Sequence, residues 1–511
     1  MWFVSLVASI AAAALTAAAV APALSTSSTA SFAVAASPAS AVCEELRTTL
    51  PPSCVLIPSS NNDAAYTAAR TNGFNPLNNV LRPICIVQPA TTQETATAMR
   101  SIYAHAAPYA VRAGGHTGMA GWDSVASGIL LDLSRLTGFH YDAAAAVVHV
   151  GPGLRWEQIY EYAEEHGVAP MGGRVGHVGT GLLLGGGLSL LSPLYGYACD
   201  GIIAAEVVAV DGGIRWVDAE SDPQLLRAIK GGGGRVGIVT RYILRAFSTG
   251  TRDEKRWFGG TVTSLDRTGM DAMVRLTEQF VAQPRDDARA TVLTNVGLLK
   301  HNSSTLWLGT TFLFYKGTQQ DFERVFQPML AIDGAAVDVK PMSYYEVTKV
   351  TPLGWSSSQA YKWIGGSLYP SRSTKTYSSL WSSVQTFLAQ HEHTLDSAFL
   401  SFTPVRTHQI DAGYLVGGNA LSPPRGRSYS HWLFSNILAP GTTAFPPELE
   451  LDRLRLIKEN PPSAGLPLLL NEVDASQKVF ETYGWFEELK RVYTRVDPSG
   501  FSVKHQQGPV L

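Results

Sequence analysis

Charge is scarce in this chain. Asp, Glu, Lys and Arg make up 16% of its 511 residues and nearly cancel, for a formal net charge of −2, against about a quarter charged in soluble domains generally. No basic run is longer than a few residues, so the electrostatic footprint of a nucleic-acid binder is missing. Lys and Arg are absent before Arg47, which excludes an Arg-rich mitochondrial transit peptide. Cysteine is sparse as well. Cys43, Cys54, Cys85 and Cys199 are too few for a disulfide-built scaffold in a chain this long. His391 and His393 lack further ligands at metal-binding spacing and read as a solvated helix end. No metal is expected.

Glycine and proline, by contrast, are abundant, at 47 and 29 residues. A loop-rich, nearly neutral chain is a common look for an exported protein. The stretch from Trp2 to Ala23 is almost wholly apolar and alanine-rich, with Ala21-Pro22-Ala23 offering a cleavage site. Residues 1–25 therefore read as a secretory signal peptide and the mature chain as secreted, with no membrane segment. Residues 26–42 are Ser/Ala/Thr-rich and expected to be disordered. Four cysteines allow three pairings. The first three are the expected participants, joining residues 43–54 to each other or to a strand at Pro83–Val87, with Cys199 a buried thiol. The sequon Asn302-Ser303-Ser304 makes Asn302 the expected glycosylation site.

The glycines are not spread evenly. Val111-Arg112-Ala113-Gly114-Gly115-His116-Thr117, then Gly121-Trp122, lies between two strand-like runs and puts one histidine at the tip of a small-residue turn. Such glycines let backbone amides approach a ligand and accept φ > 0. A second cluster runs Gly172-Gly173-Arg174-Val175-Gly176-His177-Val178-Gly179-Thr180-Gly181 to Gly185-Gly186-Gly187, and continues into Leu194-Tyr195-Gly196-Tyr197-Ala198-Cys199-Asp200. A third, Gly231-Gly232-Gly233-Gly234-Arg235-Val236-Gly237-Ile238, leads into a strand. None carries Gly-Lys-[Ser/Thr], so a P-loop is excluded, and no strand–turn–helix unit with a downstream ribose-binding acid supports an ordinary Rossmann site.

Taken together these blocks resemble the FAD-binding domain of the vanillyl-alcohol oxidase superfamily, the p-cresol methylhydroxylase type, and more narrowly the berberine-bridge-enzyme-like oxidases, particularly their secreted fungal members. The resemblance is dense over about residues 80–248 and returns at Leu469-Leu470-Asn471-Glu472-Val473-Asp474-Ala475-Ser476-Gln477 and Tyr483-Gly484. It implies FAD held covalently by the His116 imidazole through the flavin 8α-carbon. It also implies cofactor contacts from Arg112, Ala113, Gly114, Gly115, Thr117 and Gly121 in the first loop, and from Gly172, Gly173, Val178, Gly179, Gly181 and Gly186 in the second. Gly237, Ile238 and Asn471 complete the expected set. Many relatives add a second tether through cysteine; Val175 stands at that place, so a single covalent link is expected. Leu469 and Val496 stand where the family usually has tyrosine.

The fold class expected is α+β: a two-sheet FAD-binding domain over residues 76–250, preceded by an N-terminal segment 26–75, then an antiparallel-sheet substrate domain with helices on one face over 251–465. Residues 466–511 are expected to return to the FAD domain. Strands are read at Thr291–Leu299, Thr305–Tyr315 and Ala398–Pro404, and helices at Met270–Ala282, Gln319–Ile332 and Tyr377–His391. A flavin of this kind implies two-electron oxidation of a small organic substrate, an alcohol or a secondary-metabolite intermediate, with O₂ as acceptor and H₂O₂ as product. The proton acceptor is sought among Tyr414, Tyr344, Tyr345 and Glu472, with Tyr414 and Glu472 preferred. Trp355, Tyr361, Trp363, Trp381 and Trp432 suit a mostly apolar pocket. An oligosaccharide oxidase, where such rings would stack on sugars, and a non-catalytic flavin-binding module are the alternatives.

Overall fold

The computed structural model describes residues 37–58, 64–284, 287–302, 304–351, 358–370 and 376–509. The signal-peptide reading, with its cleavage site, therefore lies outside the described residues, as do Ser303 of the sequon and Trp355. The reading of residues 26–42 as disordered is wrong from Ser37 onward. Ser37 accepts from the Ser40 amide at 3.1 Å, Pro38 takes the first helical position, and a helix runs Pro38–Thr49. A capping serine followed by proline starts a helix because both suit its unpaired first turn. The helix buries Ala39, Val42, Cys43 and Leu46, and a disulfide joins Cys43 to Cys85. Cys54 and Cys199 are free and buried.

The disulfide anchors this helix to the first of three sheets, in strand order Val55–Leu56, Cys85–Val87, Ile129–Asp132, Tyr109–Arg112. The last three are parallel, and Ile129–Asp132 is buried throughout, as an inner parallel strand must be. The second sheet is antiparallel, in order Phe139–Asp142, Val147–Val150, Ile238–Ser248, Ile202–Val208, Ile214–Asp218, with Val168–Pro170 pairing the end of the long central strand. Its backbone enters through Gly237, at φ +138, where a side chain would meet Val207 at 2.6 Å.

The third sheet has seven strands, all antiparallel, ordered Ala336–Met342, Trp257–Ser264, Ser304–Lys316, Ala290–His301, Ser397–Val405, Tyr429–Leu438, Ala360–Leu368. Its strands alternate. Leu400, Phe402, Trp432 and Phe434 pack with Met270, Phe322, Leu380 and Leu449 from four helices, Arg267–Ala282, Gln319–Leu330, Tyr377–His391 and Pro447–Glu459. Val405 and Tyr429, one residue out of step, join Leu188, Val236 and Leu469 on the other side. One face thus holds helices and the opposite face meets the glycine-rich loops, so the expected α+β architecture holds. The helix Phe486–Val496 buries Leu489, Val492 and Tyr493 in the same cluster as Leu225 and Val236. His391 corrects a sequence reading: it is buried at its helix end and its Nε2 lies 2.9 Å from Asp452. No helix among the described residues is long and apolar enough to cross a membrane.

Candidate functional site

Strand Tyr109–Arg112 delivers the first glycine loop. Arg112 pairs with Asp132 in the ladder and its Nη2 reaches the Asp132 carboxylate at 3.0 Å, both side chains being buried. Its Nη2 and Nη1 also donate to the carbonyls of Ala69 and Arg70, so these two nitrogens brace the loop. Gly115 turns at φ +65, its carbonyl accepting from Phe74 N at 2.8 Å. The His116 ring then lies on Phe74, centroids 3.8 Å apart and planes 16° apart. His177 stands 4.7 Å away and Trp363 6.2 Å. Thr117 Oγ1 accepts from Met119 N within the loop, and Gly121 N donates to Asn78 Oδ1, tying the loop to the segment Pro76–Asn79.

The second loop meets the first at one point. A Cβ on Gly114 would lie 2.5 Å from the Gly179 backbone, and the reverse holds for Gly179. Only paired glycines permit that approach. Among the described residues, the buried amides of Gly114 and Gly115 donate to no protein acceptor. Orphaned buried amides are rare in folded proteins, and these two fit the phosphate oxygens of a dinucleotide. Gly181 opens the short helix Gly181–Leu184 with empty space where a side chain would be.

Other residues of the expected contact set have packing roles. Side chains at Gly172 and Gly173 would strike the Trp156 ring at 2.0 and 2.6 Å, and Trp156 Nε1 donates to Gly179 O at 3.0 Å. Val178 holds the Trp156 amide. Gly186, at φ +102, faces Leu421 and Leu469, and Ile238 belongs to the core with Val208. Asn471 clamps the turn beyond Gly181: Gly187 N donates to its Oδ1 at 2.9 Å and its Nδ2 donates to Leu182 O at 3.0 Å. Ala113 is part-buried between Arg112 and Gly114.

Asp123 and Ser124 were missed because nothing in their local pattern marks them. Both Asp123 oxygens and the Ser124 hydroxyl are buried without a partner. Burial pushes the Asp123 carboxyl up to about 6, against the pull of Arg112. The native state therefore holds this proton more tightly than the unfolded chain, so stability falls as pH rises from about 4 to 6. Asp123→Asn is expected to stabilise the flavin-free protein at pH 7 by about 2–3 kcal/mol, with no gain at pH 4. Urea midpoints at the two pH values check this, and an equal midpoint at pH 7 would sink it.

From the second glycine loop, Arg174 reaches Thr403 Oγ1 on the third sheet at 2.7 Å and Glu472 at 3.3 Å. Burial raises the Glu472 carboxyl even though Arg174 opposes it. Nearby runs a hydrogen-bond chain whose direction is set by its end. Ser367 donates to Pro467 O at 2.6 Å, so its oxygen accepts from His431 Nδ1 at 2.8 Å. His431 Nε2 then accepts from Tyr197 OH at 2.7 Å, and Tyr197 accepts from Tyr429 at 2.5 Å. Burial drives His431 down to about 3, with Arg174 adding to it, so the imidazole is neutral. Tyr197 lies 232 and 234 residues from Tyr429 and His431, a separation that sequence inspection does not join.

The remaining expectations separate. The Tyr414 hydroxyl donates to Pro423 O at 2.9 Å and contacts Ser422 Oγ at 3.0 Å, anchoring a loop. Tyr344 packs edge-on against Tyr160, and Tyr345 lies under Arg252 and Lys349. Trp381 and Trp432 are core residues on the helix-covered face. Tyr361 lies against Phe74, ring centroids 4.3 Å apart and planes tilted by 32°, two residues before Trp363 on the same strand. Asn302 is exposed in the hairpin turn between Ala290–His301 and Ser304–Lys316, at φ +47.

Residues 83–218, which hold both glycine loops that meet at Gly114 and Gly179, match the FAD binding domain family. An uncharacterized FAD-linked oxidoreductase of Arthroderma benhamiae is 31% identical over 56% of this chain and 55% of its own. The FAD-dependent monooxygenase sdcF of Emericella nidulans is 33% identical over 52% and 55%. The chain thus matches about half the length of these curated relatives. In fold it is similar to berberine bridge enzyme from Eschscholzia californica, at TM-score 0.73 and 18% identity over 92% of this chain and 99% of that one. 6-Hydroxy-D-nicotine oxidase from Arthrobacter nicotinovorans gives 0.70 at 20% identity over 88% and 95%.

Proposed function

We propose that this chain, which carries an FAD-binding domain of the p-cresol methylhydroxylase type within the fold of berberine bridge enzyme, is a secreted FAD-linked oxidase of small organic molecules. The observation that carries the reading is the meeting of the two glycine loops at Gly114 and Gly179, with buried amides left for an anionic cofactor and His116 beside them. The bound FAD would supply the two-electron oxidation, taking a hydride from the substrate and passing the electron pair to O₂ as H₂O₂. The protein's part is to hold that cofactor through His116, to keep water out with the Phe74, Tyr361 and Trp363 rings, and to accept the substrate's O–H or N–H proton.

Glu472 is the acceptor this reading prefers, because Arg174 fixes it and Tyr414 is committed elsewhere. With a substrate found by screening alcohols and reducing sugars for peroxide release, Glu472→Gln should slow turnover on the order of a hundredfold at unchanged flavin content. Turnover at the parent rate would shift the role to His431. Relatives named monooxygenases supply the second reading, oxygen insertion, which ¹⁸O₂ labelling of the product separates from peroxide release. The exposed Asn302 turn suits a glycan.

The deciding experiment is acid precipitation of the purified protein followed by mass spectrometry of its peptides. Flavin on the peptide containing His116 supports the reading. Flavin found only in the supernatant removes the covalent link, and a colourless protein removes the oxidase.

A further inference from the structure

We propose that His177 takes up the proton that His116 sheds when the flavin bond forms, a role that rests on His116 being the attachment residue. The two imidazoles come from separate glycine loops, yet their centroids are 4.7 Å apart with planes inclined at 48°. Both are held in place. Phe74 covers His116 at 3.8 Å and stands 5.9 Å from His177. The His177 carbonyl accepts from Arg155, and the turn beneath it closes through Val178 N to Val175 O at 3.2 Å. Val175 offers no second nucleophile, and among the described residues the imidazole that packs against His116 is that of His177.

Attachment joins a His116 ring nitrogen to the flavin 8α-carbon. One proton leaves the flavin methyl group and one leaves the imidazole, while the two electrons of the broken C–H bond stay on the isoalloxazine. O₂ then removes those electrons with two protons as H₂O₂, which balances the reaction. A ring nitrogen of His177 accepts the imidazole proton and returns it to water. General bases so placed contribute about 10²–10⁴-fold. A purely space-filling ring would contribute nothing of the kind, and that difference can be measured.

Apoprotein from flavin-starved cells is mixed with FAD, and acid-precipitable flavin is followed with time in the parent, His177→Phe and His177→Ala. His177→Phe keeps the aromatic packing without a proton acceptor. We expect both variants to bind FAD non-covalently, to form the acid-stable adduct on the order of a hundredfold more slowly, and added imidazole to speed His177→Ala but not His177→Phe. Adduct formation at the parent rate in both variants overturns the proposal. So does flavin on the tryptic peptide Val175–Arg215 instead of Ala113–Arg135, and so does failure of both variants to bind FAD, which would make His177 a cofactor-holding residue. A parent protein with no acid-stable flavin fails at the earlier step, the His116 assignment itself.

Discussion

Replacing His116 with alanine should abolish acid-stable flavin completely while leaving a yellow protein. The expectation follows from separating two jobs in one loop. On the proposed reading phosphate binding would belong to the backbone amides of Gly114 and Gly115, which a side-chain change at the next position leaves in place. On the same reading covalent attachment would belong to the imidazole alone, since a neutral ring nitrogen is the nucleophile and alanine has none. Val175 offers no thiol as a substitute. Loss of the ring also removes its stack on Phe74, worth about 0.5–1.5 kcal/mol, so non-covalent FAD should bind more weakly and wash out on extended dialysis. The check is to precipitate parent and variant with acid and read flavin fluorescence in pellet and supernatant. Flavin persisting in the variant's pellet would move the attachment point, and peptide mapping would show whether His177 had taken it.

The loops themselves were legible because glycine has few reasons to cluster. Gly115 at φ +65 and the Gly114–Gly179 contact are what a close backbone approach demands. Their purposes were less legible. Gly172 and Gly173 look like further cofactor glycines in sequence, but the residue they make room for is Trp156, fixed by tertiary packing. Arg112 carries a family motif and yet satisfies Asp132. Helix Tyr377–His391 was read to the residue because its apolar spacing and Thr376 cap agree. The Tyr429–Tyr197–His431–Ser367 chain was invisible, since Tyr197 meets Tyr429 and His431 only when the third sheet folds against the second glycine block, and Ser367 meets His431 only when their two strands pair. Even so, the strand holding Tyr429 and His431 alternates with Trp432 and Phe434, and that period of two was the available hint.

Arg453 should be the costliest side chain to remove outside the cofactor loops. It is wholly buried on the helix Pro447–Glu459, and its guanidinium reaches Asn436 Oδ1 at 2.8 Å, Glu450 at 2.7 Å, Trp363 O at 2.9 Å and Asp474 at 3.0 Å. Taking away one partner of such a set strands the others, typically at about 3–5 kcal/mol. The stranded group is identifiable. Burial pushes the Asp474 carboxyl up, but Arg453 and the Ser476 amide outweigh it and hold the pKa below the ordinary value. A depressed carboxyl contributes stability above its unfolded pKa that is lost as pH falls. Arg453→Met should therefore destabilise most at neutral pH, with the deficit narrowing below about pH 4 as Asp474 protonates, and Arg453→Met with Asp474→Asn should recover part of it. Urea midpoints at pH 7 and pH 4 for both variants test the sign, and a pH-independent deficit would show that lost packing rather than lost charge is responsible. The same substitution has a consequence at the cofactor. Gln477 holds Gly365 through both ends of its amide, at 3.1 and 2.7 Å, and Arg453 holds the carbonyl of Trp363 on that strand, whose ring neighbours His116. Loosening this clip frees Trp363, so Arg453→Met should also slow formation of acid-stable flavin, an effect that a remote surface change of equal instability would not reproduce.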